Sequence, residues 1–401
     1  MAAIPRYRPQ AGPALFSAGF RPFFLAAALW AAVAVPLWLV AYATGIAPPT
    51  VLPPVIWHAH EMIYGFAMAS AAGFLLTAIP NWTGRMPLQG RPLAGLAALW
   101  LIGRVAVLLS AEIGAPLAAI ADLSFPIAFL AVVAREIIAG RNWRNLPMLA
   151  ALSLLLLGNL LVHLDALGIV DTAALGNRIG IGTLLELIAL IGGRIVPSFT
   201  RNWLAKNRPD VAPPAQAGTL DLVALAVTGL GLAVWVVAPD SPVAPWAELI
   251  AGAAAGWRLS RWRGARIREP LLLILHIGYG WLAIGLLLLG LDGLYDFLPP
   301  TTALHALTIG AIGTMILAVM TRASLGHTGR TLSAGPGTKA IYVLVTAAAV
   351  LRLAVPLAGT QMMVALSLAG TAWCAAFGLF VILYGGPLAR PKASGDAAGP
   401  I

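Results

Sequence analysis

Long runs of apolar residues recur along this 401-residue chain, and they limit its fold more than any other feature. A membrane-spanning helix needs about 20 predominantly apolar residues. Hydrophobic residues make up 60% of the chain and charged residues 10%, whereas a soluble domain carries about 25% charged residues. The sequence therefore predicts an all-α polytopic membrane protein that forms a single transmembrane domain of about twelve helices. The predicted spans are 18–44, 54–80, 92–111, 115–138, 146–168, 175–200, 219–238, 244–262, 270–291, 300–322, 339–358 and 361–384.

Basic and acidic loops alternate along the chain. Lys and Arg gather at the N-terminus and in every second loop, as in 258–268, while the loops between hold acids such as Asp165, Asp171 and Asp292. An excess of Lys and Arg marks cytoplasmic loops. The pattern predicts that both termini are cytoplasmic. The small and polar residues at the C-terminus predict a disordered cytoplasmic tail over 385–401. The alternation of loops also explains the net charge of +10 without a nucleic-acid partner.

Three of the predicted spans end in similar sequences. Span two ends GFLLTAIPNWTGR (73–85), span six ends GGRIVPSFTRNW (192–203) and span ten ends GTMILAVMTRASLG (313–326). Each has Gly, an apolar stretch, Thr and Arg. The echo suggests three arcs of four helices, and chance similarity among apolar helices is the alternative.

Histidines within the spans are the main indication of function. Ionisable side chains are costly in hydrocarbon, and imidazole is the commonest side chain for binding haem iron or copper. Four of the five histidines lie near the outer ends of their spans, which predicts a cofactor site there. The five are His58, His60, His163, His276 and His305.

The segment Trp57-His58-Ala59-His60-Glu61-Met62 opens span two. Residues two apart on a helix point about 200° apart, so His58 and His60 suit different partners. His58 shares a face with Glu61 and Met62, and His60 shares one with Tyr64. Glu61 is a candidate acceptor that orients an imidazole. Alternatively, these residues cap the helix and bond to one another.

Depth in the membrane suggests how the histidines pair. At about 1.5 Å per residue, His60 and His305 both lie roughly 8–9 Å below the outer surface, so they could ligate a flat cofactor from two sides. His163 lies at a similar depth and could pair with His58. His276 enters from the cytoplasmic side, where a ligand role and a buried hydrogen bond are equally open.

Three charges fall near the middle of the membrane: Arg104, Glu186 and Arg352. They could form an ion pair that fixes helix packing. Alternatively, Glu186 carries protons and an arginine binds a buried anion such as a haem propionate. Asp122 in span four is a further candidate. The chain has no CxxCH motif, so any haem is non-covalent and b-type.

Several long strings make the chain similar to the NnrS family. They are LFSAGFRPFF (15–24), WHAHEMIYGF (57–66), AIPNWTGR (78–85), GGRIVPSFTRNWL (192–204) and HALTIGAIGTMILAVMTRASLGHTGR (305–330). The resemblance implies a twelve-span inner-membrane protein that binds haem and copper and acts in nitric oxide metabolism or the response to nitrosative stress, as in denitrification.

The arrangement also resembles, more loosely, the catalytic subunits of haem–copper oxidases and nitric oxide reductases. These have twelve spans in three arcs, with haem-ligating histidines at the outer ends of spans two and ten. His60 or His58 and His305 occupy matching places. Spans six and seven carry no histidine here, so the copper triad of those proteins is missing and their mechanism does not carry over.

The combined hypothesis is a haem protein that binds or reduces nitric oxide. His60 and His305 are the predicted axial ligands of one b-type haem. His58 and His163 hold a second haem or a copper ion, with Met62 as a soft ligand for Cu(I). Arg178 could meet propionates at the outer face. Reduction would require an electron donor and protons. Glu186 and Tyr64 are the candidate catalytic groups.

The rival hypotheses are a nitric oxide sensor or scavenger without turnover, and a transporter of metal or small solutes.

Overall fold

A computed structural model describes residues 12–392. The described chain is 82% helical and contains no strand, which confirms the predicted all-helical fold. The main helices are α1 (Phe20–Thr44), α2 (Pro54–Thr83), α3 (Arg91–Leu108), α4 (Ala115–Ala139), α5 (Leu146–Ala166), α6 (Ala173–Asn207), α7 (Thr219–Val237), α8 (Ala244–Ser260), α9 (Pro270–Tyr295), α10 (Thr301–His327), α11 (Pro336–Ala354) and α12 (Met362–Ala389).

Each predicted span coincides with one of these helices. Ten helical segments of the described chain are long and apolar enough to cross a membrane. Helix α8, with 17 residues, is not among these ten. The segment Pro336–Ala389 counts as one of the ten, although it contains both α11 and α12. The number of crossings and their orientation therefore stay predictions.

Glycines allow sharp turns of the backbone at the end of α2 and between α11 and α12. Gly84 follows α2 with φ +71°, and its N–H donates to the Pro80 carbonyl oxygen. Gly359 has φ +51° and ψ −121° between α11 and α12. Such backbone angles are strained for residues that carry a Cβ, so glycine allows each turn.

The three helices that carry the echoed sequences each contain a π-helical segment. The segments are Glu61–Ala67 in α2, Ile188–Gly192 in α6 and Ala306–Gly313 in α10. A π-helix has i→i+5 hydrogen bonds and a wider turn, and it occurs often at functional sites. The wider turn also changes which side chains share a face, so face assignments that assume α-helical spacing fail there.

Helix α12 ends later than the sequence predicted. It continues to Ala389, so residues 385–389 are helical rather than part of a disordered tail. Arg21 of α1 explains the extension, because its NH1 group donates to the carbonyl oxygens of Leu388 at 2.8 Å and Arg390 at 2.6 Å. Residues 393–401 of the predicted tail lie outside the described residues.

The described chain divides into two compact units, and the single transmembrane domain stays a prediction. The first unit comprises residues 12–180, 323–330 and 377–392, which hold α1 to α5, the start of α6 and the ends of α10 and α12. The second comprises residues 181–322 and 331–376, which hold the rest of α6, α7 to α9, most of α10, α11 and the first half of α12. Each unit buries its own group of ionisable side chains.

Candidate metal centre

Five polar side chains meet in the interior of the first unit. They come from α2, α3, α4 and α5, and each is at most 4% exposed: His60, Arg104, Asp122, Asn159 and His163. Buried polar groups are costly unless they bond to one another. The contacts among these five therefore define the site.

Asp122 lies at the centre of this group. Its Oδ2 atom is 2.9 Å from His163 Nε2 and 3.2 Å from His60 Nε2. Asn159 Nδ2 donates to the same oxygen at 2.9 Å. Asn159 and His163 lie four residues apart on α5, so one helix face presents both to Asp122.

Arg104 compensates two buried carboxylates. Its NH1 group donates to Glu61 Oε2 at 2.7 Å, and its NH2 group donates to Asp122 Oδ1. Trp30 Nε1 also donates to Glu61 Oε2, at 2.6 Å. Both carboxylates share this one guanidinium, so the cluster can accept one more positive charge.

His60 has acceptor oxygens at both ring nitrogens. Nδ1 is 3.1 Å from Glu61 Oε1, and Nε2 is 2.8 Å from Asn159 Oδ1. Only the doubly protonated imidazole donates to both partners. That proton would supply the missing positive charge, and a metal ion bound at Nε2 would take its place.

The donor atoms suit a small metal ion. His60, Asp122 and His163 each offer one ligand atom, and these three atoms lie within 4.8 Å of one another. Ligands of a tetrahedral ion with bonds of about 2.0–2.1 Å lie about 3.4 Å apart. The two contacts of Asp122 Oδ2 are close to that separation. Two imidazoles and a carboxylate are ligands that copper, iron and zinc share.

Glycines allow the helices to pack this closely. A Cβ atom added at Gly103 would lie 2.9 Å from Asp122 Oδ1, and one at Gly65 would lie 2.9 Å from Glu61 Oε2. At Gly158 a Cβ would lie 2.3 Å from the Tyr64 hydroxyl oxygen. Because the cluster is tightly packed, it suits a compact ion better than a flat macrocycle.

Three further candidates lie on α2: His58, Tyr64 and Met62. The ring of His58 stacks on Trp38 at 4.5 Å. It is His60 whose ring contacts His163, at 5.4 Å, whereas the sequence paired His163 with His58. Tyr64 lies 5.3 Å from the His60 ring and donates its hydroxyl proton to the Gly176 carbonyl oxygen at 2.6 Å. Met62 is half-buried within the π segment.

Two of the predicted cofactor residues lie within this cluster, and their contacts with haem stay predictions. Arg104, a candidate partner of a haem propionate, bonds to Glu61 and Asp122. The Nε2 atom of His60, a predicted haem ligand, points into the Asp122 cluster. Asn159 and Trp30 were missed. The spacing of four residues between Asn159 and His163 could have indicated Asn159. Nothing in the sequence indicated the contact of Trp30 with Glu61.

All of the remaining candidates except Arg178 lie in the second unit. His305 Nδ1 is 2.6 Å from the Thr301 carbonyl oxygen, and Arg352 NH2 donates to Thr301 Oγ1 at 2.9 Å. His276 Nδ1 is 3.0 Å from the Leu272 carbonyl oxygen. Glu186 is half-buried on α6. Arg178, also half-buried on α6, belongs to the first unit.

Fold and site together define a polytopic helical protein with a buried cluster of potential metal ligands. The family model described as NnrS protein matches residues 14–392, nearly the whole chain. The chain therefore belongs to the NnrS family, which is associated with the response to nitric oxide. No curated protein matches the chain significantly.

Proposed function

We propose that this protein binds copper in the first unit as part of the nitric oxide response. His60 Nε2, His163 Nε2 and Asp122 Oδ2 are the ligands. The convergence of these three buried atoms carries the proposal. With the same nitrogen and oxygen ligands, divalent copper binds more tightly than iron or zinc. Copper supplies redox chemistry and a binding position for nitric oxide.

The surrounding residues prepare the site for a cation. Glu61 orients His60 through Nδ1, which directs the Nε2 lone pair towards Asp122 once the Nε2 proton leaves. Arg104 and Asn159 hold the two Asp122 oxygens in place. Binding of the ion releases the His60 proton, so acid competes with the metal.

We also propose that the second unit would hold a b-type haem, with His305 as a ligand of its iron. The contact of its Nδ1 with the Thr301 carbonyl fixes the tautomer in which Nε2 carries the lone pair, an orientation typical of ligating histidines. Arg352 reaches the same threonine and would bind a propionate. The haem is thus assigned to His305 without His60, whose Nε2 atom belongs to the copper cluster. His276 and Arg178 stay as predictions for further contacts with cofactors.

The proposed location is the bacterial inner membrane, with twelve crossings and cytoplasmic termini. With 17 residues, helix α8 is at the lower limit of the length of a membrane span, which is about 17 residues. The Gly359 turn supports counting Pro336–Ala389, one of the ten apolar segments, as two crossings. The alternation of basic and acidic loops supports the orientation.

The test is the metal and haem content of the full-length protein purified in detergent. Elemental analysis of the wild type should give about one copper per chain on this assignment. The variants H163Q and D122N should lose copper, whereas the matched variant H58Q should retain it. Copper that is retained in H163Q and D122N, or lost in H58Q, would overturn this ligand set.

Reduced-minus-oxidised visible spectra test the haem separately. H305A should lose the b-type signal, and H60Q should keep it. A nitric oxide-induced spectral shift without turnover would favour the sensor or scavenger function over a reductase. A colourless, copper-free wild type produced with ample haem and copper would favour transport.

A further inference from the structure

Glu186 is the unusual ionisable group of the second unit. Its Oε2 atom is buried and has no hydrogen-bond partner among residues 12–392. A Cβ atom added at Gly229 of α7 would lie 3.2 Å from this oxygen, so the neighbouring helix leaves room for the carboxyl group. A buried carboxylate without a donor is costly, and a proton relieves that cost.

A second observation lies one turn further along α6. The Ala189 carbonyl oxygen, within the π segment, accepts a hydrogen bond from Arg258 NH1 at 2.7 Å. Ala189 is three residues from Glu186, about 4.5 Å along the helix. Arg258 also interacts electrostatically with Glu186. A Cβ atom at Gly193 would lie 2.2 Å from Arg258 NH2, so glycine there admits the guanidinium.

Tyr279 of α9 joins the same group. Its hydroxyl oxygen accepts from Arg258 NH1 at 3.3 Å, which leaves the phenolic proton to be donated to another acceptor. Tyr279 interacts electrostatically with Glu186 and with Asp221. Tyr279 and the two carboxyl groups are therefore all neighbours of Arg258.

Asp221 connects this group to the end of α8. Its Oδ1 atom is 3.7 Å from Arg258 Nε, and its Oδ2 atom is 3.3 Å from Arg261 NH2. The side chain of Arg261 is 26% exposed, whereas that of Asp221 is 8% exposed. The loop that follows Arg261 is strongly basic, so this end of the route faces the cytoplasm on the proposed topology.

We propose that Glu186 takes up protons from the cytoplasmic side along Asp221 and Tyr279. A proton from cytoplasmic water passes to the Asp221 carboxylate and then through the Tyr279 hydroxyl to the Glu186 carboxylate, which becomes a neutral acid. Water bridges the steps that exceed hydrogen-bond length. Arg258 is a positioning residue that holds Tyr279 and the α6 backbone together. The groups facing Glu186 are Gly229 of α7, Arg258 of α8 and Tyr279 of α9.

This role does not depend on the proposed copper site. A purely structural role for Asp221 is the competing explanation, because its Oδ2 atom also accepts from the Gly218 N–H at 3.2 Å at the start of α7. In that case Glu186 would not respond to the pH on the cytoplasmic side.

The side of access can be measured with dicyclohexylcarbodiimide, an apolar reagent that modifies protonated carboxyl groups within membranes. The full-length protein is labelled in inverted and in right-side-out vesicles whose interior is strongly buffered. Mass spectrometry then follows the adduct at Glu186. Labelling should fall as the external pH rises in inverted vesicles and stay constant in right-side-out vesicles. The reverse dependence, or no dependence in either, would overturn the proposal.

Two controls keep this measurement specific. E186Q must lose the adduct. Glu248 of α8 is 3% exposed and belongs to none of the contacts described above, so its labelling reports access of the reagent. Labelling of Glu248 that follows cytoplasmic pH just as Glu186 does would overturn the specific route.

The route itself is tested by infrared spectroscopy. The shift of the Glu186 carbonyl band after transfer to D₂O, assigned with E186Q, measures proton exchange at that group. D221N and Y279F should each slow the exchange at least about tenfold, or about 1.4 kcal/mol in barrier. Y342F, which alters a buried tyrosine of α11, should exchange as fast as the wild type. Exchange that stays fast in Y279F would overturn the role of Tyr279 even if D221N failed to fold.

Discussion

The two units differ in the number of hydrogen-bond partners around a buried carboxylate oxygen. In the first unit, Glu61 accepts from Arg104 and Trp30 and contacts His60. In the second unit, one oxygen of Glu186 has no hydrogen-bond partner within residues 12–392. A carboxylate with several donors is fixed in its charged form, whereas one with few donors can change its protonation state. The difference separates a site built to hold a cation from a site suited to proton uptake.

The largest effect is expected from removing the shared cation of the first unit. R104M leaves Glu61 and Asp122 without their guanidinium, and breaking such a buried pair costs about 3–5 kcal/mol. Thermal unfolding in detergent would measure the loss. The matched variant R144Q removes an exposed arginine and should change stability by less than about 0.5 kcal/mol. Equal stability of the two variants would mean that Arg104 is not needed for compensation.

The isosteric pair E61Q and E186Q tests the comparison directly. E61Q weakens the interactions of this side chain with Arg104, Trp30 and His60, and it should cost about 2–4 kcal/mol of stability. E186Q removes a charge that lacks full compensation, so its stability should stay within about 1 kcal/mol of the wild type or rise. Unfolding midpoints of the two variants, measured side by side, show whether E61Q is destabilised more than E186Q. If both are equally destabilised, the distinction between the units is lost.

A glycine pair on α3 tests the close packing of the cluster. In G103A the new Cβ would lie 2.9 Å from Asp122 Oδ1 and 3.0 Å from Asp122 Cα, so α3 and α4 must separate. Overpacking of this kind costs about 1–3 kcal/mol and should lower copper affinity. G95A, on the same helix, meets nothing within 4 Å and should stabilise the protein by about 0.5–1 kcal/mol. Copper binding by G103A as tight as that by G95A would argue against a compact site.

The smallest effect concerns protons released on metal binding. Copper and protons compete for the imidazole nitrogens of the ligand set, so binding weakens as pH falls. Calorimetry in buffers of different ionisation enthalpy measures the protons released per ion, and their number should rise as the pH falls. H60Q should lower this release. Copper binding without release of a proton would place the ion away from His60.

The sequence could predict the helices because apolar length and loop charge determine them locally. It could not predict the π segments, since apolar periodicity does not distinguish a π turn from an α turn over five to eight residues. The late end of α12 was also missed, because it depends on Arg21 from the opposite end of the sequence.

Prediction of the site was limited in the same way. The sequence singled out His60 and His163 because histidines are rare in apolar helices. It paired them with other partners, because only tertiary packing brings α2, α4 and α5 together around Asp122. Asp122 was named as a further candidate, and nothing in its neighbouring residues marked it as the centre of the cluster. The role of Arg104 also depended on packing, since both of its carboxylate partners are distant in sequence.

The most direct test of the central claim is electron paramagnetic resonance of the copper-loaded, full-length protein. The ligand set proposed here predicts hyperfine coupling to two imidazole nitrogens in the wild type. This coupling should persist in H58Q and be lost together with the bound copper in H163Q. A wild-type spectrum without imidazole coupling, or one that H163Q leaves unchanged, would contradict the assignment of copper to His60, Asp122 and His163.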